Sequence, residues 1–203
     1  MSLRNGLLKS YFSMRMKAID RFRRHPLEVQ AAMLRARLEK GARTRFGREC
    51  GLRVGMTPAQ FAAAVPLQDY ESFKPFFARM RAGEADVTAP GRVTLFARSS
   101  GTTSDRSKYI PVTRESVWWN HTLGMRDVAS VYAHAHPHTR VFEGKTLTLG
   151  GSCSMEQGVL TGDLSAVLIS RTPFWSGWFR APRMHTALIA DFDEKTEAIC
   201  REC

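Results

Sequence analysis

Apolar positions in the first third of the chain recur at helical rather than alternating spacing. From Met1 to Arg24, the residues Leu7, Leu8, Tyr11, Phe12, Met14, Met16, Ile19 and Phe22 interleave with Arg and Lys. That pattern predicts one basic amphipathic helix over residues 1–26. After His25-Pro26, Leu27, Ala31, Leu34 and Leu38 predict a second helix, with Gly41 and Gly47 as stop signals. Thr57-Pro58-Ala59-Gln60 has the form of a capping box with Pro in the first turn, and Pro66 closes the short helix it opens. Asp69 then caps a helix that carries Phe73, Phe76, Phe77 and Met80 and stops at Gly83. Pro75 inside that helix predicts a kink or a break.

Beyond Pro90-Gly91 the period changes. Val93, Leu95 and Ala97 alternate with other residues and predict a strand, and Tyr109 to Val112 predicts a second after a polar loop. Helical spacing returns from Arg114 to about Tyr132, through Val117, Trp118, Leu123 and Val128. Thr146–Leu149 and Val167–Ile169 read as further strands, and a helical pattern follows from Met184 to the last residue, Cys203. Helices first, then alternating strands and helices, predict an α/β fold. The final pattern stops without Gly, Pro or a polar tail, so the chain is expected to be cut within an element.

The 203 residues are 43% apolar and 24% charged, the usage of a soluble globular chain, and no apolar run is long enough for a membrane-spanning helix. Four cysteines are too few for a disulfide scaffold, so a reducing, cytoplasmic setting is expected. The net charge of +11 is uneven: the first 53 residues hold fourteen basic side chains against Asp20, Glu28, Glu39 and Glu49. The remainder is nearly balanced. The preferred reading of the basic segment is a surface helix whose Arg stems cover a core face. A competing one is a module that binds nucleic acid or an anionic membrane surface through residues 1–24, and another is a truncated, inactive remnant. Nucleic acid is the less favoured partner, because no aromatic–basic interleaving tracks a strand. No apolar core follows the first charges, which excludes a secretory signal peptide.

The segment 98–108, Arg-Ser-Ser-Gly-Thr-Thr-Ser-Asp-Arg-Ser-Lys, lies between two predicted strands. Its hydroxyls and backbone N–H groups suit phosphate oxygens, Gly101 permits close backbone approach, and Lys108 places a point charge. A plain polar hairpin loop has the same composition. Three other motifs fail on these residues. A nucleotide-binding Walker loop needs Gly before the Lys, where Ser107 stands. A β-lactamase motif needs Ser three before it, where Asp105 stands. The nucleophile elbow fails at Ser154, which replaces the second Gly of G-x-S-x-G.

Ser99-Ser100-Gly101-Thr102-Thr103, with Lys108 and then Tyr-Ile-Pro-Val-Thr, resembles the first signature motif of adenylate-forming enzymes. The match is to the auxin-responsive acyl-acid amido synthetase family, in a bacterial-type version. Arg43-Thr44-Arg45-Phe46-Gly47, Val65-Pro66-Leu67-Gln68-Asp69-Tyr70-Glu71, Gly83-Glu84 and Leu147-Thr148-Leu149-Gly150-Gly151-Ser152 extend the resemblance in order from about residue 27 onward. It implies that residues 27–203 are an incomplete piece of the large N-terminal domain of an adenylating ligase. It implies an ATP-dependent reaction with Mg²⁺, in which a carboxylic acid is adenylated and the acyl group passes to an amine or amino acid. Ser99, Ser100, Thr102, Thr103 and Ser104 would bind phosphate, Gly101 would permit the turn, and Lys108 would be the catalytic charge. Ser104 and Ser107 stand where many members of the wider superfamily have Gly and Pro. Family members are more than twice as long, so the chain is expected to be an N-terminal part that does not complete catalysis alone. The aromatic run Phe174 to Phe179, following the stretch from Gly158 to Ser170, would border the acyl pocket.

Other residues are read more plainly. His134, His136 and His138 lack a matching carboxylate or Cys and read as a solvated helix exit, so no metal site is expected. Cys200 and Cys203 lack a second ligand pair. Trp118-Trp119 and the run Phe174 to Phe179 read as core.

Overall fold

A computed structural model of the chain describes residues 3–99, 107–172 and 174–203, the side chains of 174 and 175 excepted. The fold is α/β, as the sequence predicts, and the chain divides into two units. One comprises Met1–Arg23, Arg114–Ser154 and Thr161–Cys203; the other comprises Arg24–Thr113 and Met155–Leu160.

The second of these units carries the candidate loop. Helix α3 (Pro26–Gly41), expected to follow His25-Pro26, begins at Pro26 itself, in the first turn. Gly47, read as a stop, instead lies within a short helix α4 (Arg45–Glu49). The Thr44 hydroxyl accepts from the Gly47 N–H at 3.0 Å and donates to the Gly41 carbonyl at 2.7 Å. A Cβ at Gly47 would run into the Gly41 backbone, so the position demands Gly for close approach. Helix α5 (Pro58–Ala64) has the full capping box: Gln60 N–H donates to Thr57 Oγ1 at 3.2 Å, and Thr57 N–H to Gln60 Oε1 at 2.9 Å.

Helix α6 (Tyr70–Arg81) is capped by Asp69, which accepts from Ser72 N–H at 3.0 Å and Ser72 Oγ at 2.9 Å. The expected break at Pro75 does not occur. The missing N–H costs only the bond to the Glu71 carbonyl, while aromatic packing spans the proline. Phe73 stacks on Phe77 at 5.7 Å, and Phe73 and Phe76 both meet Phe46.

Strands β1 (Leu95–Arg98) and β2 (Tyr109–Pro111) pair antiparallel with Arg98 opposite Tyr109. In chain order, α7 (Arg114–Ser116), α8 (Leu123–Ala135) and β3 (Thr146–Leu147) precede a hairpin of β4 (Cys153–Glu156) and β5 (Val159–Gly162). The four-stranded sheet runs β2-β1-β5-β4. The core beneath it is Met80, Val87, Val93, Phe96 and Val159, with Phe76, Phe77 and Tyr109 packed against it. Each such apolar side chain stabilises by roughly 1.5–3 kcal/mol when fully buried. The hairpin was not anticipated. Its turn, Gln157-Gly158, has φ of 52° and 80°, the left-handed pair that a tight two-residue hairpin requires.

In the first unit, the segment expected to be one helix over 1–26 is two, α1 (Leu3–Ser13) and α2 (Met16–Arg24). Between α7 and α8 the helix widens into π-type turns over Val117–Thr122, and Leu123 N–H donates five residues back to Trp118. Val167–Ile169, expected as a strand, is the end of helix α9 (Leu164–Ile169). After it, β6 (Arg180–Ala181) pairs parallel with β3. Helix α10 (Met184–Ala187) and helix α11 (Phe192–Glu202) divide the final helical pattern. Glu202 joins them, accepting from Arg183 N–H at 2.6 Å and the Thr186 hydroxyl at 2.7 Å. Those bonds, the Thr186 hydroxyl first, hold its carboxyl below the usual range.

Gly150-Gly151-Ser152 is an irregular stretch gripped by side chains. Asp163 accepts from Ser152 N–H at 3.1 Å, Ser165 Oγ from Gly151 N–H at 3.1 Å, and Lys195 donates to the Gly150 and Gly151 carbonyls at 2.8 and 3.1 Å. No described helix is long and apolar enough to cross a membrane.

Candidate functional site

The stem of the 98–108 loop follows from the β1–β2 register. With Arg98 opposite Tyr109, the next pair outward is Ser99 and Lys108. Ser99 N–H donates to the Lys108 carbonyl at 3.0 Å, and Lys108 N–H donates to Ser99 Oγ at 3.3 Å. Two residues nine positions apart in sequence, both expected from the sequence to serve a phosphate, are therefore bonded to each other. Ser100, Gly101, Thr102, Thr103 and Ser104 lie outside the described residues.

Two residues that the sequence reading did not single out support this stem. Tyr70, the first residue of α6, accepts the Tyr109 N–H on its hydroxyl at 2.9 Å, and its ring centre lies 5.4 Å from Lys108 Nζ. Arg81, at the other end of α6, lies 3.8 Å from the centre of the Tyr109 ring and 3.4 Å from Glu156. Eleven residues at 100° each return almost to the same azimuth, so both side chains leave one face of the helix. The available signal was this spacing, with Tyr70 directly after the Asp69 cap. Hydrogen bonds from Ser72 hold the Asp69 carboxyl below the ordinary aspartate range.

The stem is electropositive. Arg98 is exposed and Lys108 half-buried at the mouth of the hairpin, with Arg81 partly neutralised by Glu156. Such a stem can hold an anion against backbone and hydroxyl donors in partial shelter from water.

Part of the basic N-terminus is engaged within its own unit, whereas Lys17, Arg21, Arg23 and Arg24 stay exposed. Arg4 donates to the carbonyls of Phe142, Glu143 and Gly144, and Lys9 to that of Pro137. Asn5 is buried and donates to Thr139 at 3.0 Å, and Phe12 stacks on Phe142 at 4.9 Å. Arg126 covers the Tyr11 ring at 4.2 Å. This is the reading in which basic stems cover a packed face.

The remaining candidates fall apart spatially. His134, His136 and His138 are all exposed, and among the described residues no three His, Cys, Asp or Glu side chains come together as a metal site. All four cysteines are free thiols. Burial pushes the Cys50 and Cys153 thiols up, with help from Glu49 and Asp163 respectively. Trp118, Trp119 and Trp178 are not core: they are 50%, 41% and 68% exposed.

A family model described as the GH3 family N-terminal domain matches residues 15–201. The chain belongs to the GH3 family. A jasmonoyl–L-amino acid synthetase, GH3.3, from Oryza sativa subsp. japonica is 31% identical over 99 residues, covering 48% of this chain and 21% of that protein. The solved structure of a GH3.15 acyl acid amido synthetase superposes with a TM-score of 0.71 at 20% identity, over 95% of this chain and 33% of that one. AtGH3.15 in complex with 2,4-DB gives a TM-score of 0.56 at 22% identity, over 80% and 27% of the two chains. At these identities the structural matches show the shared fold. This GH3 chain spans from about a fifth to a third of the length of these relatives.

Proposed function

We propose that this GH3 chain supplies the phosphate-binding part of an ATP-dependent acyl-acid amido synthetase. The observation that carries the reading is the bonded pair of Ser99 and Lys108 at the root of a hydroxyl-rich loop, in a chain of this family. In the reaction, a carboxylate oxygen of the acid attacks the α-phosphorus of ATP and the bond to pyrophosphate breaks. An amine, typically of an amino acid, then attacks the acyl carbon, expels AMP and gives up a proton.

In-line displacement at phosphorus asks mainly for positioning and charge stabilisation. Ser99, Ser100, Thr102, Thr103 and Ser104 would donate to phosphate oxygens, Gly101 would admit the phosphate close to backbone, and Lys108 would balance the growing charge on the leaving pyrophosphate. Mg²⁺ would add Lewis-acid stabilisation, held chiefly by the phosphates themselves. A cytoplasmic setting for small-molecule acid and amine substrates belongs to the same proposal and is in keeping with the free thiols. Peripheral contact of the basic N-terminal segment with anionic lipid would rest on Lys17 and Arg21, which remain exposed.

The test is calorimetric titration of the purified chain with Mg·ATP and with pyrophosphate. Saturable binding that Lys108→Ala weakens measurably supports the reading. Absence of binding by the unmodified chain sinks it.

A further inference from the structure

We propose that Tyr70 is the positioning residue for Lys108: its hydroxyl anchors the Tyr109 backbone at 2.9 Å while its ring lies under the Lys108 ammonium at 5.4 Å. The inference rests on the reading of the 98–108 loop as a phosphate site and adds the residue that aims its cation.

The geometry follows from strand periodicity. Alternate residues of a strand point their backbone groups to opposite sides. Lys108 and Val112 are bonded towards β1, through Ser99 and Leu95, so the N–H of Tyr109 faces the other way. Among the described residues β2 is the edge of its sheet, with no further strand to take that donor. The Tyr70 hydroxyl takes it instead, and thereby fixes the backbone immediately after Lys108.

The second contact concerns entropy. A lysine side chain with four rotatable bonds loses much freedom when its ammonium is held in one place. A ring beneath it lowers that loss at binding by holding the cation beforehand. The Tyr70 ring is itself restrained, 6.0 Å from Phe77 on the same helix and one residue after the Asp69 cap. One side chain therefore constrains both the backbone and the charge of the loop's last residue.

The experiment is a double-substitution cycle read by Mg·ATP and pyrophosphate dissociation constants, with melting temperatures recorded for every variant. Tyr70→Phe keeps the ring and drops the anchor; Tyr70→Leu drops both. Affinity is expected to fall about threefold for Tyr70→Phe and about tenfold for Tyr70→Leu. In a Lys108→Ala background, Tyr70→Leu should change affinity by less than about twofold, because the group it positions is gone. Equal losses in both backgrounds would make Tyr70 merely structural and overturn the proposal.

A second readout separates this inference from the function it rests on. Lysines are ¹³C-dimethylated and the Lys108 signal is assigned by its loss in Lys108→Arg. That signal should be ring-shifted in the unmodified protein and in Tyr70→Phe, and should lose that ring shift in Tyr70→Leu. A Lys108 signal unaltered by Tyr70→Leu overturns positioning whether or not nucleotide binds. A moved signal without nucleotide binding sustains positioning and sinks only the phosphate-site reading.

Discussion

Arg15 and Asp127, 112 positions apart, meet as a fork: Nε donates to Oδ1 at 2.5 Å and Nη2 to Oδ2 at 3.1 Å. The carboxylate hydrogen bond holds the guanidinium above its ordinary ionisation range. Both side chains remain partly exposed, at 25% and 36%, so solvent screens much of the attraction. Asp127→Ala should therefore cost only about 1 kcal/mol, seen as a fall of about 2–4 °C in the calorimetric midpoint. Arg15→Lys should recover little, since an ammonium does not reproduce the two-pronged contact.

Thr57 and Gln60 satisfy each other's backbone donors at the start of α5. Thr57→Ala should destabilise by about 1 kcal/mol in urea unfolding, and Thr57→Ser should be close to neutral. Equal stability of the Ala and Ser variants would show that the box contributes nothing.

Asp69 gives α6 a pH dependence. Its folded-state ionisation lies below the ordinary value because Ser72 donates to it through backbone and hydroxyl. The cap's contribution is complete above the unfolded value and is lost as pH falls through the lowered folded one, that is, below about pH 4. Asp69→Asn retains a capping oxygen without the charge. Urea midpoints of the two proteins should therefore converge between pH 6 and about pH 3. A gap that stays constant with pH would contradict this assignment.

Gly162 closes β5 where a Cβ would collide with the Ser152 carbonyl and Cys153 Cα. These are backbone atoms with no rotamer to yield. Gly162→Ala is expected to destabilise by about 1–3 kcal/mol, whereas Gly177→Ala, with open space at its Cβ, should stay within about 0.5 kcal/mol. Thermal unfolding of the pair provides the comparison.

Features written into a few adjacent residues were readable in advance. The Thr57 box, the Asp69 cap and the two strands flanking the loop are all local, and all are present. Val167–Ile169 misled because three apolar residues have no period of their own. Packing decided for a helix, with Ala166, Val167 and Ile169 all buried. The β4–β5 hairpin was hidden by Gln157, a residue seldom found at positive φ, although Gly158 beside it was a turn signal. Trp118-Trp119 read as core by size alone, but wide π-type turns carry them to the surface.

The candidate site divides in the same way. Ser99 and Lys108 were legible as a motif, and their mutual hydrogen bonds follow from strand register. Tyr70 and Arg81 were not, because nothing local links them to Tyr109. Only a helix three turns long, laid along the sheet edge, brings them there.

The docking of α1 has a consequence for how the protein is made. Asn5 finds its partner Thr139 only after 134 further residues exist. At ordinary ribosomal speeds that is a wait on the order of ten seconds. Throughout it Leu8 and Phe12 have no face to cover them, and Arg4, Lys9 and Arg15 have neither the carbonyls nor the carboxylate that later receive them. Charges interleaved with apolar residues oppose aggregation of a segment exposed before its partners exist, and residues 3–15 have that pattern.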